Sequence, residues 1–300
     1  MNKNNEKSSA WSRFLKSEFF YHYRHNLPAI IGSILVFIAV FVALFGKFLA
    51  PQNPYDLTQL ELMDSYLPPV WVDGANPKYL LGTDNQGRDI LSAIIYGSVS
   101  SLTIGLIGTL ASCLIGTTLG LIAGYYGGKV DAIIMRIADV QLSFPSMLIA
   151  LFIMSVFGRG IDKLLIALTL VGWVKYARTV RGETLSVRKK EYVEAARTIG
   201  LPNRIIIMKH VMPNVISSII VLATIQVGDF ILTEATLSFL GVGVPITEPS
   251  LGLLVKTGFD VLFSGLWWAS VFPGLYIMLV VFGINLLGDF LRDELNPNLK

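Results

Sequence analysis

The 300-residue sequence has few cysteines, few histidines and no nucleotide-binding loop, and each shortage excludes a class of protein. The one cysteine, Cys113, lies inside an apolar run, which excludes a disulfide framework and a cysteine-based zinc cluster. The three histidines, His22, His25 and His210, form no metal-spaced pair with acids, so an intramembrane enzyme is poorly supported. No Gly-x-x-x-x-Gly-Lys-Ser/Thr stretch occurs, so the chain does not itself hold the phosphate loop of an ATPase.

Charge is also scarce. Charged residues make up 15% of the chain, whereas soluble domains average about 25%. Hydrophobic residues make up 53% and the mean hydropathy is +0.61, which indicates an integral membrane protein. The net charge of +3 is too small to indicate a nucleic-acid partner.

Long apolar runs are what the sequence has in abundance. A helix needs about 20 mostly apolar residues to cross the hydrocarbon core. Six runs approach or exceed that length, although the third contains Pro145 and Asp139. We therefore predict an all-α integral membrane protein with six transmembrane helices. The runs are 27–49, 98–123, 137–157, 164–180, 215–240 and 266–287.

The distribution of Lys and Arg predicts the orientation of these helices. The first run is too long for a cleaved signal sequence and is interpreted as an uncleaved anchor. If the N-terminus is cytoplasmic, the cytoplasmic segments hold 18 of the 24 Lys and Arg residues. The positive-inside rule then places both termini in the cytoplasm.

The chain is predicted to divide into five segments. A cytoplasmic tail at 1–26 has aromatic and basic residues at helical spacing, which favours an amphipathic helix on membrane lipid over a disordered tail. The first transmembrane helix follows, and then a periplasmic or extracellular loop region at 50–97. A five-helix core at 98–290 contains a cytoplasmic loop at 181–214, and a cytoplasmic tail at 291–300 ends the chain. The spaced residues of the first tail are Trp11, Phe14, Leu15 and Phe19.

The stretch LGTDNQGRDIL leads into the second apolar run. Its Asp and Thr side chains are suited to capping a helix or closing a turn, and its glycines to positive φ. On physical grounds alone it predicts the entry turn to the second span. The residues of this outer-face motif are Gly82, Thr83, Asp84, Gly87, Arg88 and Asp89.

Small and polar residues inside the apolar runs indicate a packed, functional bundle. Gly116 and Gly120 fit the small-xxx-small rule for close helix contact. Gln226, Asp229 and Glu234 lie in the fifth run, where polar side chains are functional candidates. They are candidates for lining or gating a translocation path, and the two acids also for sensing charged cargo. The alternative is that the acids face a polar pair or a water-filled part of the bundle for structural reasons.

The cytoplasmic loop contains a short charged helix with a defined stop. In the stretch EYVEAARTIGLPNRIIIMKHVMPN, apolar residues at i, i+3, i+4 and i+7 form one stripe. Glu191 and Glu194 precede it, where the helix dipole favours acids, and Glu194 is spaced to pair with Arg197. Gly200 suits the position after the helix, and Pro202 ends propagation. The stripe and the stop comprise Tyr192, Ala195, Ala196, Ile199, Gly200, Leu201 and Pro202.

An Ala-Ala face adds little affinity for lipid and suits docking into a protein groove. An interfacial helix on lipid and a plain connector are the alternatives that the residues leave open. The Glu-Ala-Ala triplet at Glu194, followed by Gly200 and, thirteen residues later, Pro213, resembles the signature loop of bacterial ABC importer permeases. His210 and Met212 stand where the general pattern has Ile and Leu.

Three further stretches resemble one branch of that family. LGTDNQGRDIL is similar to the G-T-D-x-x-G-R-D motif of dipeptide, oligopeptide and nickel permeases, and AGYYGGKVD resembles their inside turn. The ending GDFLRDELNPNLK resembles their common tail, with Asn296 in place of Asp. The order of the motifs resembles the C-type of the two permease subunits.

The resemblance implies the type I ABC importer permease fold and a set of partners. These are a second permease subunit, two ABC ATPase subunits that carry ATP and Mg²⁺, and an extracytoplasmic solute-binding protein, at the bacterial inner membrane. The chain itself would bind no cofactor and catalyse no reaction. The charged helix would be the ATPase-coupling interface, and Arg88 and Asp89 would contact the binding protein or form an internal salt bridge.

The cargo implied by the resemblance is small peptides, with nickel, glutathione or another small solute as alternatives. From a different class, a stand-alone secondary transporter would use Asp229 or Glu234 for proton coupling.

Overall fold

The computed structural model describes residues 18–295, and the regular structure in this part of the chain is helical. This confirms the all-α prediction. Of the residues expected in an amphipathic helix, Phe19 lies in the first helix, whereas Trp11, Phe14 and Leu15 lie outside the described residues. The helices are α1 (Glu18–His25), α2 (Leu27–Leu49), α3 (Ile90–Tyr126), α4 (Gly128–Leu142), α5 (Ser146–Phe157), α6 (Ile161–Val187), α7 (Glu191–Thr198), α8 (Asn203–Ile206), α9 (Met212–Phe239), α10 (Leu251–Phe259) and α11 (Trp268–Leu295).

Four helices in the described part of the chain are long and apolar enough to cross a membrane. They are α2, α3, the helix formed by α8 and α9 together, and α11. A fifth span results if α4 and α5 are counted as one. The predicted count of six is not confirmed by length and composition. The fourth predicted run lies in α6, which is not apolar enough over the length of a span.

The third predicted run is not a single helix. It is divided between α4 and α5, whose axes differ by 87°. Pro145 cannot donate a backbone hydrogen bond, and it disfavours helical backbone at the residue before it. Its carbonyl instead accepts hydrogen bonds from the first turn of α5, from Leu148 N at 3.0 Å and Ile149 N at 3.2 Å. The expected kink is therefore a corner between two helices.

The fifth predicted run begins earlier than expected. The predicted run starts at residue 215, but the helix extends from Asn203 to Phe239 through a π-helical turn, Ile207–Val211. In that turn the N–H of Met212 bonds to the carbonyl of Ile207, five residues back. The wider turn lets the helix continue into the segment that contains Pro213.

The second predicted run also begins earlier than expected. Its helix, α3, starts at Ile90 and is capped by Asp89.

Three glycines on α3 bring it into close contact with α6. They are Gly116, Gly120 and Gly124, spaced four residues apart. A Cβ atom on Gly120 would lie 2.6 Å from the carbonyl oxygen of Ala177, and one on Gly124 would lie 2.6 Å from Cβ of Thr184. The backbones therefore approach too closely for any side chain at these positions, as the small-xxx-small spacing predicted.

We expect Gly120→Val to destabilise the protein by about 1–3 kcal/mol, because overpacking this contact forces α3 and α6 apart. Thermal unfolding of the purified protein in detergent measures the effect. The matched control is Gly182→Ala on α6, where an added Cβ meets no heavy atom within 4 Å. Equal melting temperatures for Gly120→Val and Gly182→Ala would contradict the expectation.

Candidate coupling interface and translocation groove

The charged helix predicted in the cytoplasmic loop is α7. It begins at Glu191, carries Glu191 and Glu194 in its first turn, and ends at Thr198. Gly200 has φ +84° and its N–H bonds to the carbonyl of Arg197 at 2.9 Å, while Leu201 N bonds to Ala196 O at 3.1 Å. This pair of bonds is the Schellman ending. The predicted helix and its glycine stop are confirmed.

The predicted apolar stripe of α7 does not lie on one buried face. Val193 and Ala196 are buried in a cluster with residues of α3, α6 and α9. Tyr192, Ala195 and Ile199 are exposed, and Ile199 is 78% exposed. Sequence reasoning missed Val193, although its spacing of three from Ala196 was a usable signal. The helix thus uses one narrow face to pack on its own chain and presents a second apolar face to the surroundings.

Aromatic and basic side chains hold α7 against the end of α3. The guanidinium of Arg197 lies 4.9 Å from the ring centre of Tyr125. The hydroxyl of Tyr125 donates to Oδ1 of Asn203 at 2.8 Å. Arg188 Nη1 donates to the carbonyl of Gly124 at 2.9 Å. The predicted Glu194–Arg197 pair is absent from the ion pairs of the described residues, so Arg197 stacks on an aromatic ring while the Glu194 side chain is exposed.

The short turn after α7 leads directly into a membrane helix. Leu201 packs against the same cluster as Val193, and Pro202 precedes the first residue of α8. His210, one of the two residues that depart from the family pattern, lies with its ring centre 6.5 Å from that of Tyr192. Val211 and Val215 are fully buried beside Val193. Several packed side chains therefore join α7 to the long helix.

A groove of about 480 Å³ lies among α4, α5, α6 and α9. Asp229 and Gln226 line it, and their role in a translocation path stays a prediction. Lys175 of α6, which sequence reasoning did not select, also lines it, and its Nζ lies 2.8 Å from Oδ2 of Asp229. No local spacing relates these two residues, since they are 54 positions apart.

Glu234 does not line the groove. Its side chain is fully buried and accepts hydrogen bonds from three serine hydroxyls on three segments. The distances are 2.7 Å from Ser101, 2.9 Å from Ser238 and 2.8 Å from Ser250. Ser101 lies on α3, Ser238 lies on α9, and Ser250 caps α10. The geometry of Glu234 therefore favours a structural role, in which its carboxylate joins three helices, over a place in the groove.

The outer-face motif is a buried turn. Thr83, Asp84, Arg88 and Asp89 are all less than 9% exposed. Asp89 caps α3 by accepting from Ser92 N at 2.8 Å. Arg88 and Asp89 are therefore buried in this chain, and their contact with a binding protein stays a prediction.

The alternative prediction for Arg88 and Asp89, an internal salt bridge, is wrong for the described residues. The ion pairs of the described residues do not include Arg88, whose guanidinium lies 4.9 Å from the ring centre of Tyr55. Gly82 and Gly87 have φ of +82° and +74°, as the motif predicted.

Asp84 organises this turn. Its Oδ1 accepts from Gln86 N at 2.8 Å and from Arg88 N at 3.0 Å. Burial raises the pKa of the Asp84 carboxyl, and the two backbone hydrogen bonds oppose that shift. Because the folded pKa is the higher one, stability falls as pH rises from the unfolded pKa through the folded pKa.

We therefore expect Asp84→Asn, which keeps the acceptor oxygen, to unfold at a temperature at or above that of the wild type at neutral pH. Asp84→Ala leaves two N–H groups unpaired and should lose about 1–3 kcal/mol. Thermal unfolding of both variants across acidic to neutral pH tests this. If the melting temperature of the wild type rose relative to that of Asp84→Asn as pH rises, the raised pKa of Asp84 would be refuted.

With this geometry in place, the comparisons with known proteins identify the class. Residues 116–300 match the family described as the binding-protein-dependent transport system inner membrane component, and the chain belongs to this family. Residues 8–69 also match the N-terminal transmembrane domain of oligopeptide transport permease C.

Two curated relatives extend over nearly the whole chain. The dipeptide transport system permease protein of Haemophilus influenzae is 36% identical over 283 residues, which cover 94% of this chain and 95% of the relative. The corresponding protein of Escherichia coli K12 is 40% identical over 286 residues, covering 94% and 93%. An inward-facing structure of the MetNI methionine ABC transporter matches with a TM-score of 0.56 at 17% identity, covering 69% of this chain and 98% of that one. The fold is therefore that of an ABC importer permease.

Proposed function

We propose that this chain is one of the two permease subunits of an ATP-driven importer of small peptides. The observation that carries the proposal is α7, a capped helix that packs on its own chain through Val193 and Ala196 and leaves a second apolar face exposed. An exposed face of this kind on a loop between membrane helices is suited to docking into a groove of another subunit. The peptide cargo is supported by the printed names of the curated relatives.

The proposed complex contains a second permease, two ATPase subunits that hold ATP and Mg²⁺, and an extracytoplasmic binding protein. Family membership supports a location in the inner membrane. Both termini are proposed to lie in the cytoplasm, because that orientation places most Lys and Arg residues inside. In the same orientation α7 faces the ATPases.

The proposed mechanism is mechanical. ATP binding closes the ATPase subunits and displaces α7. The Gly200–Pro202 turn and the packing of Val211 and Val215 carry that displacement into the helix that begins at Asn203. The groove beside Asp229 then alternates between the two sides of the membrane, with the second permease closing its open side.

Purification and transport together test this function. The tagged chain is expected to bring down a second permease and two ATPases, and proteoliposomes of that complex should import a dipeptide only with ATP and the binding protein. Uptake that persists without the ATPases and collapses with the proton gradient would overturn the proposal. It would favour the proton-coupled alternative, which has little structural support because Glu234 is sealed among serines and Asp229 is paired with Lys175.

A further inference from the structure

The C-terminal half of α6 carries a row of ion pairs along one face. Its three basic residues are spaced by three, so each is about 4.5 Å further along the helix axis. Each meets an acid from α4 or α9 rather than one on its own helix. The pairs are Lys175 with Asp229, Arg178 with Asp139, and Arg181 with Asp131.

The pairs at the two ends of this row differ in geometry and burial. Arg181 holds Asp131 through two bonds, from Nε at 2.5 Å and Nη2 at 2.6 Å, and the two side chains are 33% and 17% exposed. Lys175 touches Asp229 through a single contact, and those side chains are 57% and 44% exposed. A bidentate, partly buried pair is strong, whereas an exposed single contact contributes about 0–1 kcal/mol. Lys175 and Asp229 can therefore exchange partners at little cost.

These two side chains are the charged residues among those that line the groove. The rest of the lining is apolar or neutral and polar, including Gln226, Thr233 and Phe230. The volume of about 480 Å³ is typical of small-molecule sites, and an extended dipeptide is about 7 Å long. A ligand in this groove thus meets one cation and one anion, side by side, on an otherwise neutral wall.

We propose that Lys175 and Asp229 form a charge-selecting contact for the cargo, in which Lys175 takes an anionic group and Asp229 a cationic group of a zwitterionic peptide. This inference rests on the proposed function as a peptide permease. When the ligand binds, two ligand pairs replace the internal pair, so neither charge is left uncompensated. A free divalent cation fits less well, because Lys175 repels it and the groove offers a single carboxylate.

Selectivity between two dipeptides tests this contact. We would reconstitute the whole complex with saturating binding protein and measure ATP-driven uptake of Ala-Glu and Ala-Lys. Lys175→Gln should lower the Ala-Glu to Ala-Lys uptake ratio by about fivefold, and Asp229→Asn should raise it by about as much, since each change leaves one unbalanced charge in the groove that attracts one of these oppositely charged dipeptides and repels the other. The double variant Lys175→Gln/Asp229→Asn should return the ratio close to that of the wild type.

The Arg181–Asp131 pair supplies the matched control. Arg181→Gln/Asp131→Asn neutralises the bidentate pair and should lower the melting temperature without changing the uptake ratio. If Lys175→Gln and Asp229→Asn slow both peptides equally, the pair only joins α6 to α9 and the inference is overturned. If the wild type imports neither dipeptide, the peptide function fails as well, so the two failures are distinguishable.

Discussion

Gly200→Ala is expected to uncouple peptide uptake from ATP hydrolysis while the protein remains in the membrane. Gly200 adopts φ +84°, and an added Cβ would meet no atom within 4 Å. The cost is therefore backbone strain alone, about 1–2 kcal/mol, which lowers the equilibrium constant for the correctly ended helix roughly tenfold. The measurement is the ratio of peptide imported to ATP hydrolysed in proteoliposomes, which should fall, by at most about that factor.

Gly265 supplies a control with the same chemistry. Its φ is +88°, its surroundings are equally open, and it lies in the turn before α11, away from α7. Gly265→Ala should have a similar effect on melting temperature and leave the coupling ratio unchanged. Gly200→Asn should be milder than Gly200→Ala, because Asn tolerates positive φ. An undiminished coupling ratio in Gly200→Ala would remove α7 from the proposed mechanism.

Glu194→Lys tests the same interface without changing the backbone. Glu194 is exposed in the first turn of α7, so its reversal affects a docking partner more than the fold. We expect the same loss of coupling with a nearly unchanged melting temperature. A wild-type coupling ratio in this variant would contradict the proposed docking surface.

Glu234→Ala is expected to destabilise the protein more than the removal of Asp84 or Asp229. It removes the common acceptor of Ser101, Ser238 and Ser250 and leaves a cavity where three helices meet. Unpaired buried hydroxyls and the cavity together predict a loss of about 2–5 kcal/mol. Yield from membranes and thermal unfolding of the purified complex measure it.

Two variants separate this role from a role in transport. Glu234→Gln keeps one acceptor oxygen and should recover part of the stability. Asp229→Ala, in the same helix but half-exposed, should leave the melting temperature close to that of the wild type. A wild-type melting temperature for Glu234→Ala would refute the structural role of the serine cluster.

The sequence predicted best those features that depend on local chemistry. The first run and α2 share the bounds Leu27–Leu49, because a mostly apolar stretch follows the Asn26 cap. The ends of α7 were predicted within one residue, since acids begin it and Gly200 ends it. The glycines of the outer-face motif were predicted because positive φ has a specific residue preference. The docking role of α7 itself stays a prediction.

Features that depend on long-range packing could not be predicted in the same way. The 87° corner at Pro145 depends on how neighbouring helices accommodate a broken helix, which the residue alone does not specify. The partner of Asp229 lies on another helix, and the donors to Glu234 include residues 133 and 16 positions away. The pairing of Lys175 and Arg178, which lower the mean hydropathy of α6, could not be predicted either, because each meets an acid from a neighbouring helix.

The contact between α3 and α6 makes these two helices one rigid unit. At Gly120 and Gly124 the two backbones touch with no flexible side chain between them, so neither helix can slide without the other. Tyr125 and Val187, at the ends of these helices, both pack on the cluster beneath α7. In the proposed mechanism, a displacement of α7 would therefore act on α3 and α6 as one unit. A spin label on α3 and one on α6 should keep a constant separation throughout the transport cycle.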